Sequence, residues 1–396
     1  MGPTWEDRAV MLEGPAALDM KNAARELLLN QGFKPDEIPV PLQERQLAAD
    51  YWDRVEAFMR DFQDGARALE MHSGTGYQYK PINVARAVLF TLSPPGTVMV
   101  LPDSLWHAPL WASMLVGTCL RGGRVLIIHP SQRNAPGQAF MTLSRANELF
   151  ERLIIIQQEM ADEIAAVNGQ LRTELYDTNI DVANLPARLR AAYEGLKTPW
   201  LRETFEIPAD WTPIFANPEE AFPDFDLEYV IEDTEVRRPK LHLKTNLFVS
   251  AGILQVLVES PEWRPFVLEY MRQRVLDVQS ERSVEEYRDV RDLEVAVRQD
   301  FFNLLRSTRE LATEEQRETA VFYHLVGSSN MDYRSMLMDG EVGLLISGKA
   351  AIHGLLDAII LAGAARWVDD VEVLNQYLPR YEGFKWKSSR WVKNLL

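Results

Sequence analysis

The sequence has little cysteine and no excess of positive charge. Among 396 residues it has one cysteine, Cys119, so neither a disulfide framework nor a cysteine metal cluster is available. Cys119 lies in an apolar helical stretch, which predicts a buried thiol. The formal net charge of −16 argues against the broad basic surface that non-specific nucleic-acid binding uses, so a nucleic-acid partner is disfavoured.

Long hydrophobic runs are also missing. No stretch reaches the roughly 18 apolar residues that a membrane-crossing helix needs, and the first residues lack the apolar core of a signal peptide. We therefore expect a cytoplasmic protein. Near the carboxyl end, FKWKSSRWVK (384–393) interleaves aromatic and basic residues. Two interpretations stay open for it: a terminal helix packed on the domain, or a peripheral contact with an anionic membrane surface.

The spacing of apolar residues predicts an α/β fold. Residues 97–131 have the pattern of a buried strand, a helix ended by two glycines and a second buried strand, which is a β-α-β unit. Further strands are predicted at 240–250, 319–327 and 341–348. Helical periodicity covers roughly 144–196, with a break near Asn168. We expect a mixed, largely parallel sheet flanked by helices.

Four segments follow from these patterns along the chain. They are an N-terminal helical segment (1–70), the first part of an α/β core (71–252), a helical insertion (253–318), and the second part of the core with a C-terminal helix (319–396). An insertion at that point of the chain would lie close to the second part of the core. It would act as a lid or as a substrate selector.

Polar residues gather in KLHLKTNLFVS (240–250) and in GSSNMDYRS (327–335). On a strand, side chains two residues apart share a face, so His242 and Lys244 are predicted to point the same way. The second segment offers a glycine that permits close backbone approach, followed by hydroxyl and amide donors. Such donors, joined to Lys244, suit the oxygens of a phosphoryl group. Taken singly, each segment also fits an ordinary strand surface or a Gly-Ser turn.

Together the two segments resemble the phospholipase D superfamily, whose signature is H-x-K followed by an aspartate, then G-S-x-N, and later R-S and an acidic residue. The first part is matched by His242-Leu243-Lys244 and the second by Gly327-Ser328-Ser329-Asn330, followed by Arg334-Ser335 and Glu341. The β-α-β unit and WEDRAVMLEGPAA near the start are also similar to segments of two-lobed members. The chain therefore looks like the carboxyl-terminal lobe of a two-lobed phospholipase D or cardiolipin synthase-like protein.

The resemblance implies roles for the matched residues. His242 would be the nucleophile that forms a phosphohistidine, and Lys244 and Asn330 would hold phosphoryl oxygens. Glu341 would accept a hydrogen bond from the other ring nitrogen of His242, which fixes its tautomer and raises its basicity. No cofactor and no metal are implied.

Three further residues have weaker implied roles. Ser328 and Ser335 would contact substrate oxygens or shape the turn. Arg334 would either contact phosphate or form a salt bridge to Asp332 or Asp339. The substrate class implied first is a phospholipid.

The sequence departs from the family pattern. The expected aspartate, five residues after the lysine, is replaced by Val249, and only one H-x-K is present. The reaction needs a second histidine to protonate the leaving oxygen. Three sources stay open: a homodimer, a partner lobe on another chain or an upstream region, and His72 in MHSGTGYQYK (71–80), which has the pattern of a Gly-rich loop.

The remaining histidines are expected mainly to pack. His107 and His129 follow or end predicted strands, so they either line the same cleft or fill the interior. His324 lies in a predicted strand and His353 in an apolar helix, and core placement is expected for both.

The sequence thus predicts a phospholipase D-like phosphodiesterase or phosphatidyltransferase that acts on phospholipids through a phosphohistidine. The alternative is a non-catalytic or regulatory phospholipase D-like subunit, as the missing aspartate and the single motif suggest. A phosphodiesterase acting on nucleic acid is a further alternative, which a local basic groove would favour.

Overall fold

The structure is a computed structural model that describes residues 5–6, 24–25, 28–29, 32–38, 67–73, 81–135, 140–177, 240–250, 252, 322–337, 339–347, 354 and 365–380. The helical insertion expected at 253–318, His353 and the basic aromatic segment at 384–393 lie outside the described residues, as does most of the expected N-terminal helical segment.

Ten strands and six α-helices are bounded within the described residues. The strands are β1 (Trp5–Glu6), β2 (Arg67–Ser73), β3 (Thr97–Pro102), β4 (Arg124–Pro130), β5 (Gln170–Tyr176), β6 (Lys240–Leu241), β7 (Thr245–Ser250), β8 (Phe322–Gly327), β9 (Glu341–Ser347) and β10 (Ala365–Trp367). The helices are α1 (Pro81–Leu92), α2 (Pro109–Cys119), α3 (Phe140–Glu159), α4 (Ala161–Ala166), α5 (Tyr333–Leu337) and α6 (Val371–Tyr377), with a 3₁₀ turn at Pro35–Glu37.

Eight strands form one mixed sheet in the order β10-β5-β4-β3-β7-β8-β9-β2, and β1 pairs with β6 apart from it. The α/β fold with a mixed sheet flanked by helices is confirmed. The expectation of a largely parallel sheet is corrected, because only the β3–β4 and β4–β5 pairs are parallel and the other five are antiparallel. Long apolar runs indicated buried strands but did not give their directions.

The predicted β-α-β unit is formed by β3, α2 and β4. Every residue of β3 is buried, which means that both faces of the sheet are covered at this position. Helix α2 ends at Cys119, and the chain then turns at Gly122, whose φ of 90° lies in the left-handed region that favours glycine. The amide of Gly123 then donates to the carbonyl of Thr118, closing the helix end before β4 begins.

Aromatic rings fill the core beside β3. The ring of Phe90 on α1 meets Trp111 on α2 edge to face at 5.8 Å and Phe248 on β7 at 5.9 Å. The predicted buried thiol is confirmed, because Cys119 is fully buried and burial raises its pKa to about 12. Its Sγ donates to the carbonyl of Gln170 at 3.0 Å. The thiol is therefore a packing group.

Two strands lie where the sequence predicted other structure. Residues 170–176 form β5 rather than helix, directly after Asn168, whose positive φ of 56° turns the chain. Strand β2 begins at Arg67 and crosses the boundary drawn at residue 70. It places His72 in the sheet and not in a loop. In the described part of the chain, no helix has the length and apolar character to cross a bilayer.

Candidate active site

The strand directions bring several predicted site residues to one end of the sheet. Strands β2, β3 and β8 finish at this end, and β7 and β9 begin there, because each of the latter is antiparallel to its neighbours. We call it the Lys244 end of the sheet and define it by Ser73, Asp103, Lys244, Gly327 and Glu341. The topology thus brings together residues that are far apart in sequence, such as Ser73 and Glu341.

His242 and Lys244 lie in a break between two strands. Strand β6 ends at Leu241 and β7 begins at Thr245, while Lys244 forms an isolated bridge with Asp103. The strand alternation predicted for His242 and Lys244 is therefore wrong for this segment. Instead, Nζ of Lys244 donates to the backbone carbonyl of His242 at 2.6 Å. Lys244 is buried and His242 is partly exposed.

The structure joins the H-x-K segment to the G-S-x-N segment directly. The amide of Gly327 donates to the carbonyl of Lys244 at 3.3 Å. Ser104 connects the same two segments, since its amide donates to the carbonyl of Leu243 at 3.2 Å and its hydroxyl to Oδ1 of Asn330 at 2.9 Å. Ser104 is not part of either motif. It follows β3 in the chain, and the pairing of β3 with β7 brings it next to both segments.

Glu341 is bonded to the second motif. Its Oε2 accepts a hydrogen bond from the hydroxyl of Ser328, which also accepts from the amide of Val342 at 3.1 Å. The hydrogen bond between His242 and Glu341 that the resemblance implies stays a prediction.

Ser335 and Arg334 have structural partners. The hydroxyl of Ser335 accepts from the amide of Asn330 at 3.1 Å, and the Ser335 amide donates to Asp332 at 2.8 Å, so this serine holds the turn. Arg334 is half exposed and forms a salt bridge with Asp339 at 3.2 Å. Of the alternatives open for Arg334, the structure has the salt bridge to Asp339.

His72 and Val249 are placed by the pairing of backbones. His72 lies opposite Val342, and the next residue, Ser73, lies opposite Glu341. Val249, where the family has aspartate, is fully buried in β7 and pairs with Val98. A carboxylate at that position would lie in the apolar interior of the sheet, whereas Asp103 supplies a buried carboxylate at the Lys244 end.

Three buried charged groups at this end were not predicted as site residues. Arg86 on α1, Asp103 after β3 and Asp332 before α5 are each almost fully buried. Burial raises the pKa of Asp103 to about 7 and that of Asp332 to about 6; Arg86 opposes the shift of Asp103. Burial lowers the pKa of Arg86, and attraction to Asp103 opposes that shift. The three groups thus form a buried cluster of one positive and two acidic side chains at the Lys244 end.

His107 belongs to the same region. Its amide donates to the carbonyl of Met331 at 3.3 Å, and its Nε2 lies 4.0 Å from Oδ2 of Asp332. Burial lowers the pKa of His107 to about 4, so its imidazole is neutral near pH 7. Of the two open interpretations for His107, the structure shows the packed one. His324 is also buried, as expected.

Gly327 of the second motif lies where a side chain would not fit. A Cβ on Gly327 would collide with the carbonyl oxygen of Val342 and lie 2.8 Å from Cα of Gly343. We expect Gly327→Ala to lower the free energy of unfolding by about 1–3 kcal/mol, the usual cost of overpacking. Gly117→Ala is the control, because a Cβ there meets only Nη1 of Arg121 at 3.5 Å. Equal unfolding midpoints in urea for both variants would contradict this prediction.

Acid should weaken the fold through His129. This fully buried residue on β4 has a pKa that burial lowers to about 3, although its Nδ1 contacts the carbonyl of Pro130. The unfolded chain binds a proton near pH 6.5, so stability is complete above that pH and is lost as pH falls toward 3. The raised pKa values of Asp103 and Asp332 act in the opposite direction.

We therefore expect His129→Gln to lose less stability than the wild type between pH 7 and pH 4.5. Urea unfolding followed by tryptophan fluorescence at both pH values measures this difference, and the aspartate contributions cancel in the comparison. The same loss in both proteins would rule out His129 as a source of acid sensitivity.

The site has donors for an anion, and its described residues show no metal cage. Among the described residues, no group of three His, Cys, Asp or Glu side chains is placed to hold a metal ion. The cations and neutral donors at the Lys244 end are Arg86, Lys244, Ser104, Ser328 and Asn330.

Comparison with known proteins gives a likeness in structure but none in sequence families. No family model matches the sequence, and no curated protein matches it. The chain is similar to the crystal structure of phosphatidylserine synthase from Haemophilus influenzae Rd KW20, with 13% sequence identity and a TM-score of 0.41. The match covers 95% of this chain and 60% of that protein, so the chain spans less than two thirds of its length.

Proposed function

We propose that this chain is a phospholipase D-like phosphodiesterase or phosphatidyltransferase in which His242 attacks the phosphorus of a phospholipid. One observation carries the proposal. The H-x-K and G-S-x-N segments, about 80 residues apart in sequence, are hydrogen-bonded to each other through Gly327, Lys244 and Ser104. The arrangement that the sequence resemblance requires is therefore supported by the contacts between the two segments.

In the proposed reaction, a ring nitrogen of His242 forms a bond to phosphorus, and the bond from phosphorus to the leaving alcohol oxygen breaks. A second acid donates a proton to that oxygen. Lys244 and Asn330 stabilise the charge that develops on the phosphoryl oxygens. Water or an alcohol then attacks the phosphohistidine and loses its proton to the same second group. His242 is released, giving hydrolysis or transfer respectively.

The second acid is proposed to come from outside the H-x-K segment. A second copy of this chain, a partner lobe and His72 are the three candidates. Within the chain, the pairing of β2 with β9 places the backbone of His72 at the Lys244 end of the sheet, opposite Val342. A homodimer would instead bring a second His242.

Phospholipid is favoured over nucleic acid because the net charge of −16 would repel a polyanionic backbone. A membrane-associated phosphodiester presents one phosphate at a time. Substrate access in that case depends on the local donors at the Lys244 end more than on the charge of the whole chain.

A non-catalytic subunit is the second candidate, and the Lys244–His242 contact supports it. In the described conformation, Nζ of Lys244 is bonded to the backbone of His242, and Glu341 is bonded to Ser328. A protein that works only by pairing could keep such a closed arrangement permanently. In an enzyme, Lys244 and Glu341 must exchange these partners for substrate and imidazole when the site fills.

The test is phosphodiester cleavage by the purified chain, using vesicles of phosphatidylcholine and phosphatidylglycerol. Phosphatidic acid marks hydrolysis, and phosphatidylethanol formed in the presence of added ethanol marks transfer. A single-stranded DNA oligonucleotide serves as the competing substrate. Light scattering of the same sample gives the oligomeric state. Cleavage of DNA but not lipid would overturn the lipid assignment, and no cleavage by a folded chain would favour the non-catalytic subunit.

A further inference from the structure

The apolar helix α1 carries one buried arginine that no motif explains. Its sequence, PINVARAVLFTL, contains Arg86 as its only charged residue. Arg86 is 2% exposed, which is unusual for arginine unless its charge and donors are satisfied. The question is what satisfies them.

Arg86 hydrogen-bonds to both sides of the junction between the two motifs. Its Nε donates to Oδ1 of Asn246 on β7 at 3.0 Å. Its Nη1 donates to the hydroxyl of Ser329 at 2.9 Å and to the carbonyl of Asn330 at 3.2 Å, while Nη2 donates to the carbonyl of Ser329 at 2.5 Å. The planar guanidinium thus holds two consecutive carbonyls of the G-S-x-N segment and the second residue after Lys244.

The charge of Arg86 is balanced locally. Asp103, Glu341 and Asp332 all attract it electrostatically. A buried guanidinium without partners is strongly destabilising, so the loop must keep the conformation that supplies its carbonyls. The side-chain Oδ1 of Asn330 then accepts from the hydroxyl of Ser104, and the backbone amide of Asn330 donates to the hydroxyl of Ser335.

We infer that Arg86 is a positioning residue for the phosphoryl-binding groups: it fixes the Ser329–Asn330 backbone relative to β7, which directly follows the H-x-K segment, and so sets where the Asn330 side chain lies. The kinetic part of this inference rests on the proposed function, whereas the positional part does not. Lysine cannot replace Arg86, because a single ammonium group cannot bond both carbonyls and Asn246 in one plane.

Arg86→Lys tests the inference, with Arg121→Lys as the matched control. Arg121 also bonds to α1, through the carbonyl of Phe90 at 2.8 Å, and its guanidinium otherwise donates to the hydroxyl of Thr118 on α2 at 3.4 Å. We expect Arg86→Lys to lower kcat by about 10- to 100-fold with KM little changed, the usual effect of misplacing a catalytic group by about 1 Å. Arg121→Lys should leave kcat within about twofold of the wild type.

Amide hydrogen exchange gives a readout that needs no activity. The Asn330 amide, held by the hydroxyl of Ser335, should exchange faster in Arg86→Lys, while the amides of β3 and β4 should keep their protection. Faster exchange throughout the sheet would mean that Arg86 only stabilises the fold, and would overturn the positioning role. Should Arg86→Lys fail to fold, Ser329→Ala removes one of its acceptors and is measured in the same two ways.

The outcomes separate the two proposals. An active wild type with unchanged kcat and unchanged Asn330 exchange in the Arg86 or Ser329 variants would overturn the positioning role and leave the proposed function standing. An inactive wild type would count against the proposed function, and local exchange at Asn330 would still decide where Arg86 acts. Non-additive effects of Arg86→Lys and Asn330→Ala on kcat would support action through Asn330.

Discussion

Replacing His242 by alanine should lower the rate of phosphodiester cleavage by at least about 1,000-fold, because the proposed covalent intermediate cannot form without a nucleophile. His242 lies between β6 and β7 and is partly exposed, so the loss of its ring leaves the buried core unchanged. The unfolding midpoint should therefore stay close to that of the wild type. Initial rates on phosphatidylglycerol vesicles measure the effect.

His129→Gln is the control for this prediction. It also removes an imidazole, but from the buried interior of β4 and outside the proposed reacting groups. At pH 7 it should keep the wild-type rate within about threefold. Rapid denaturation during turnover of a substrate labelled at phosphorus should trap label on the wild-type chain and none on His242→Ala. A His242→Ala variant that retains more than about a tenth of the activity would contradict the proposed nucleophile.

The elements that sequence patterns predicted best were the ones with strong local signals. The β3-α2-β4 unit has continuous apolar strands and a glycine-terminated helix, and both features depend on neighbouring residues. Strands β8 and β9 were found for the same reason. Strand β5 was missed because QLRTELY follows a long helical pattern and has several residues common in helices.

Strand direction could not be predicted from burial. A strand covered on both faces has the same apolar composition whether its neighbours are parallel or antiparallel. Here β7 returns antiparallel to β3, and that choice brings Lys244 to Asp103. The same reversal places Gly327 beside Lys244, so the site depends on a property that the apolar pattern does not encode.

The sequence indicated which motif residues to consider, but it did not indicate which residues they contact. His242, Lys244 and Asn330 were identified from residue types and spacing, and the structure brings their segments together. Ser104 and Arg86 were not identified, because a serine after a strand and one arginine in a helix are ordinary locally. Only their long-range partners, at Asn330 and Asn246, show what they hold.

Lys244→Met should lower kcat by about 100- to 1,000-fold, the range found when a preorganised donor to a developing negative charge is removed. Methionine has a similar length and fits a buried position, but it offers no charge and no proton to phosphoryl oxygens. KM should change much less, since the ammonium is needed most when charge builds up in the transition state. Steady-state rates over a range of vesicle concentrations separate kcat from KM.

Lys244→Met also tests the contacts that Lys244 makes in the described conformation. In the described conformation its ammonium bonds the carbonyl of His242 and attracts the buried carboxylate of Asp103. Lys244→Arg keeps the charge but needs more room at a position that is 8% exposed, so it should not restore the rate. If Lys244→Met and Lys244→Arg both kept the wild-type rate, the ammonium would be serving the fold alone. The lysine would then be a structural group only, and the phosphoryl oxygens would have to be held by Asn330 and a partner chain.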